Sequence, residues 1–170
     1  MTKETKKEIF EVLEKKSLAI TEEVALEEHE YADYICRAAF TTVRGGTGIA
    51  FFETLILDIW EDMSIWDIRV IPQFVIADTA LEETRKMVEQ VNMYFPFGAF
   101  GIDFETKHMF WRVNVPVDES GSTDETAAYA IKLYEKAASV VGAVYDAMAK
   151  VAAGESTFAE QEEAGALVGQ

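Results

Sequence analysis

A single cysteine, two histidines, three prolines and about half as many basic residues as acidic ones set the first limits on this 170-residue chain. Cys36 alone cannot form an intramolecular disulfide, so a reducing compartment is the expected setting. As a nucleophile it would need a base beside it, and no motif supplies one. The histidines do not suggest a metal set. His29 lies in "EEHE", whose neighbouring side chains diverge in a helix or a strand, and His108 has no carboxylate at a ligand spacing. GxSxG, HExxH, paired CxxC and GxGxxG are missing. "RGGTG", residues 44–48, leads into a strand-like run instead of the Lys-Ser/Thr and helix of a phosphate loop, so it reads as a turn. No catalytic residue, cofactor or metal is expected, and the chain reads as a non-enzyme.

No apolar run approaches the roughly twenty residues that span a bilayer, and the first sixteen residues lack the apolar core of a secretory signal. The expectation is a cytoplasmic protein. The formal charge of −16, from 31 acidic against 15 basic residues, repels phosphate backbones and anionic headgroups. Nucleic acid and membrane are therefore excluded as partners, and a basic or amphipathic polypeptide is the class the field attracts.

Apolar residues are plentiful at 49%, with eleven Phe, six Tyr and three Trp, which suits a globular chain able to bury roughly two thirds of its unfolded surface. The spacing predicts one α+β domain over residues 1–153 and a flexible acidic tail over 154–170. Ile9, Phe10 and Leu13 mark a first helix over residues 3–16. Residues 19–26 fit either a short strand or more helix. Tyr34, Cys36, Ala38 and Phe40 alternate as one strand face, "IAFFETLILDIW" is a second strand-like run, and "IWDIRVIPQFVI" follows with Trp66, Ile68, Val70, Phe74 and Ile76 on one face. Pro72 removes a ladder donor and suggests an edge or bulge.

Thr79-x-x-Glu82 has capping-box spacing and opens a helix over 79–95 that Pro96 ends. Period-two alternation then gives a hairpin: Phe100, Ile102 and Phe104 on one strand, Met109, Trp111, Val113 and Val115 on the next. Ser122-x-x-Glu125 repeats the capping spacing before a long helix. There Ala127, Ile131, Tyr134, Ala138, Val141, Tyr145, Met148 and Ala152 recur in steps of four and three, a seam for the sheet or for another helix. The class is α+β with an antiparallel sheet of about five to six strands, in the order α-β-β-β-α-β-β-α. Trp60, Met63 and Trp66 flank a turn and are the candidate partner-binding patch, because Trp and Met are enriched at interfaces.

This order, and the passage from "VEQVNMYFPFGAFGIDFETKHMFWRV" through the long helix, resembles the YbjN-type family of bacterial sensory-transduction regulators, similar in fold to type III secretion chaperones. The resemblance rests on Asn92, Tyr94, Phe95, Phe97 and Gly98 at the helix end, then on two strands, the acidic loop from Val115 to Gly121 and the helix from Thr123. It implies a dimeric α+β protein without enzymatic activity that holds a polypeptide client. The expectation is a homodimeric, chaperone-like or regulatory protein binding another polypeptide. The alternative is a small-molecule-binding domain with a pocket between sheet and last helix, lined by Tyr134, Tyr145 and the rings of residues 95–111.

Overall fold

The computed structural model describes residues 5, 7–9, 11, 19–25, 34–40, 50–60, 63–118 and 120–167, with 19–25, 34–40, 51 and 58–60 described by their backbone alone. Thr5, Lys7, Glu8, Ile9 and Glu11 are helical, and Ile9 is fully buried. Strands β1 (Ala19–Ala25), β2 (Tyr34–Phe40), β3 (Ala50–Trp60) and β4 (Met63–Pro72) precede a 3-10 turn (Asp78–Ala80) and helix α1 (Leu81–Tyr94). Strands β5 (Ala99–Asp103) and β6 (His108–Asp118) lead to the long helix α2 (Thr123–Ala153) and to a short α3 (Phe158–Glu163). The class is α+β, with antiparallel strands in the spatial order β1-β2-β3-β4-β6-β5. Residues 19–25 are strand, which decides the alternative left open by the sequence. "RGGTG" and His29 lie outside the described residues, as does the side chain of Cys36, whose backbone stands opposite Thr54.

Alternation decides which side of the sheet is core. Phe52, Thr54 and Ile56 of β3 face Val70, Ile68 and Trp66 of β4, which in turn face Trp111, Val113 and Val115 of β6. All of these are buried except Val113, which is partly so. Helix α2 covers this face: the Tyr134 ring meets Phe52 edge-on at 5.5 Å, and the Tyr134 and Thr54 hydroxyls share a 2.7 Å hydrogen bond. The residues of the 4-3 seam therefore pack inside one chain, with Ala127, Tyr134, Val141, Tyr145, Met148 and Ala152 buried. Ser122 and Glu125 form the expected capping box, each satisfying a backbone amide of the other.

At the other helix the expected box does not form. The turn Asp78–Ala80 precedes α1, no side chain caps either element, and the Ala77 amide donates to the Ala152 carbonyl of α2 instead. Tertiary contact replaces the local motif. Pro72 lies where β4 parts from β6, in a stretch of four residues against two, so the irregularity its missing amide suggested is present on that side. It is the last residue of β4, opposite Ala50 of β3, beyond the last pair with β6, so its missing amide costs that ladder nothing.

The passage from α1 into β5 is fixed by three residues. Phe95, preceding Pro96, takes an extended conformation and ends the helix. Gly98 has φ +69°, and a Cβ there would stand 2.2 Å from the Trp111 indole. Asn92 then donates its amide to the Phe100 carbonyl at 2.9 Å and accepts the Phe100 amide at 2.7 Å, pairing the outward backbone of β5. Nε1 of Trp111 is buried without an acceptor, so packing against Gly98 and Phe97 places this ring.

After α2, residues 154–167 are folded, where the sequence suggested a flexible tail over 154–170. Gly154, at φ +75°, ends the helix in a left-handed cap, and Thr157 with Glu160 builds a second capping box for α3. The Phe158 amide donates to Glu83 of α1 at 3.1 Å, and Leu167 is buried at 2% exposure. The acidic composition concealed these anchors because each depends on a single residue placed at a distance in sequence.

Two substitutions and a pH change test this packing. Gly98→Ala forces a left-handed residue into the Trp111 ring and should cost roughly 2–5 kcal/mol, read by urea denaturation. Leu167→Ala should raise hydrogen exchange in residues 155–167 while leaving the sheet protected, through local destabilisation of about 2–4 kcal/mol. Glu83, through Lys86 and the Phe158 amide, and Glu160, through Thr157, have carboxyls held below their ordinary values. Their contribution is present above those ordinary values and lost as pH falls through the lowered ones, so acid should open the same segment first.

Candidate functional site

The second face of the sheet carries charge in a row. Glu53, Arg69 and Arg112 stand opposite one another across β3, β4 and β6. The next row places Asp67 between Leu55 and Asn114. Asp67 is 2% exposed although it lies away from the helical core. Two arginines bury it: Arg112 donates from Nε to Oδ1 at 2.7 Å and from Nη2 to Oδ2 at 2.9 Å, and Arg69 adds Nη2 to Oδ2 at 2.9 Å. The fork geometry of Arg112 satisfies both carboxylate oxygens, and the guanidinium stems exclude water while their heads remain partly exposed. Glu53 lies 3.7 Å from Nη1 of Arg69 on the β3 side.

Apolar rows flank this charge. Leu57, Ile65 and Pro116 face one another on one side, and Ile71 and Phe110 lie on the other. Leu57, Ile65, Ile71 and Phe110 are half-buried, so each retains contact area for a partner. Phe110 stands opposite Gly101, where a Cβ would come 2.4 Å from its ring, so the ring lies directly on the β5 backbone.

A cavity of about 500 Å³ opens beside these residues. It has a structural cause. The β4 and β6 ladder runs to Val70 opposite Trp111 and resumes only as an isolated bridge between Val75 and His108. Four residues on one side, 71–74, thus span two on the other, 109 and 110, and the strands part. Arg69, Ile71 and Gln73 line one wall; Phe110, His108 and Asp103 contribute to the other. Asp103 accepts the turn amides of Glu105 and Thr106, and the Thr106 contacts foremost hold its carboxyl below the ordinary value.

The sequence-predicted patch is divided by the sheet. Trp66 is fully buried in the helix-facing core and its Nε1 donates to Ser64 at 3.2 Å, so it is not a surface residue. Met63 is half-buried on the second face, and the side chain of Trp60 lies outside the described residues. Residues three apart on a strand point to opposite faces, which is why Met63 and Trp66 do not combine. The same alternation carried the missed signal: in "IWDIRVI" the charged Asp67 and Arg69 occupy the positions between buried apolar ones. Tyr134 and Tyr145, assigned to a ligand pocket under α2, instead pack edge-on against Phe52 and Phe74.

Among the described residues no three His, Cys, Asp or Glu side chains come together as a metal set, and no helix is long and apolar enough to cross a membrane. The geometry offers charged and apolar contact surface beside a concave site. Asp67→Asn removes the carboxylate shared by Arg112 and Arg69, leaving Arg69 only the more distant Glu53, and should destabilise the fold by about 1–3 kcal/mol in urea melts, solvent screening of the exposed arginine heads keeping the loss below that of a fully buried pair. Compared with known proteins, the chain matches no family model, no curated protein and no solved structure.

Proposed function

We propose that this chain is a non-enzymatic, chaperone-like or regulatory protein that binds another polypeptide through the second face of its sheet. The observation that carries this reading is the pair of half-buried apolar rows, Leu57 with Ile65 and Ile71 with Phe110, on either side of the arginine and carboxylate row. An apolar strip bordered by satisfied charges provides contact area and fixes the register of what lies on it. The charge of −16 directs the choice of partner: the long-range field draws basic or amphipathic segments and disfavours phosphate-rich ones.

The resemblance to the YbjN-type family supports the same reading through its likeness in fold to type III secretion chaperones, which dimerise and hold an extended stretch of a client. The homodimer belongs to this reading as well. Its contact falls to a surface other than the α2 seam, which packs on the sheet of its own chain.

The test is capture of partners from the native cells, followed by calorimetry with the purified partner. The paired substitution Leu57→Glu and Ile65→Glu, on half-buried positions, should weaken binding at least about tenfold, while circular dichroism reports an unchanged fold. Binding to the wild type should also weaken as salt rises. Equal affinity of both proteins for the same partner would remove the second face as the site.

A further inference from the structure

The cavity between the parted strands has a polarity of its own. Arg69 stands at one end: Nη2 is committed to Asp67, Nη1 lies 3.7 Å from Glu53, and Nε is buried without a hydrogen-bond acceptor. Ile71 and the Phe110 ring, seated on Gly101, supply an apolar wall. Asp103 stands on the hairpin side, with its carboxylate occupied by the amides of the turn. A ligand therefore meets at one end a guanidinium that keeps one donor without an acceptor and can present it by turning, apolar surface along its body, and a repelling carboxylate at the far end.

We propose that this cavity binds a small organic monocarboxylic acid with an aryl or branched alkyl body, its carboxylate on Arg69 and its body against Ile71 and Phe110. The volume of about 500 Å³ lies within the range of small-molecule sites. Arg112 holds both oxygens of Asp67 by itself, so Arg69 can turn toward a second carboxylate without stranding the buried one. The negative field of the chain opposes an anion at a distance, but it is screened beyond about 8–10 Å at physiological ionic strength. Inside that distance the charge-assisted hydrogen bonds of the guanidinium decide. This inference goes beyond polypeptide binding and does not rest on it: the ligand shares Ile71 and Phe110 with the proposed polypeptide face, but its test reads Arg69 whereas the polypeptide test reads Leu57 and Ile65.

The experiment follows the arginine Nε–H signals of the whole chain by ¹H–¹⁵N NMR during titration with 3-phenylpropionate, 4-methylpentanoate or 3-methylbutanoate. Binding should move the Arg69 signal, and 3-phenylpropionamide, which has the same body and no charge, should bind about tenfold more weakly or worse. Arg69→Gln should weaken 3-phenylpropionate by a similar factor, read from amide shifts of the cavity walls. Ile71→Glu, which places a carboxylate on the wall at a half-buried position, should abolish binding with the fold intact. The proposal is overturned if none of the three acids shifts the Arg69 signal up to its solubility limit. It is equally overturned if the amide binds as well as the acid, or if both variants bind like the wild type.

Discussion

The arrangement depends on how closely one long helix can lie on one face of the sheet. Helix α2 has 31 residues, about 46 Å of rod, and the sheet beneath it presents Phe52, Trp66, Trp111 and other bulky side chains. Large residues at every inward position of the helix would hold the layers apart. Ala127, Ala130, Ala137, Ala147 and Ala152 are buried there among Leu133, Tyr134, Val141, Tyr145 and Met148, so the small positions let the helix lie close between its own large side chains. The hydrogen bond between Tyr134 and Thr54 then fixes the helix along its axis, because sliding by a turn would strand two buried hydroxyls.

Once one face is committed in this way, the properties of the other follow. Apolar residues in even positions of β4 serve the core, which leaves the odd positions for Asp67, Arg69 and Ile71. The charged row is held by carboxylate and guanidinium pairing, and the parting of β4 from β6 past Val70 makes a concavity on that side. Packing on the first face and recognition on the second thus share the same strands while using alternate residues.

Periodicity made much of this legible in the sequence. The hairpin of β5 and β6, the Ser122 cap and the length of α2 all follow from spacing within one element, and the structure has them where the spacing puts them. What depended on distant partners was not legible. Thr79 and Glu82 have the right interval for a cap, yet the carbonyl of Ala152 takes the amide at that corner. The C-terminal residues look like a solvated tail until Glu83 and the buried site of Leu167 are present to receive them. Trp66 was assigned to a surface by its nearness to a turn, although its parity with Ile68 and Val70 already placed it in the core. The cavity left no mark in any single segment, because a mismatch of four residues against two exists only between strands.

Asn92 gives the sheet an unusual boundary. A side-chain carboxamide has the same donor and acceptor as a peptide group, and here it meets both backbone atoms of Phe100 as a neighbouring strand would. The β5 margin therefore ends on a strand one residue long, borrowed from a helix. Joining at that point requires an incoming chain to displace this side chain, and exclusion of edge-to-edge assembly at Phe100 is delegated to one residue.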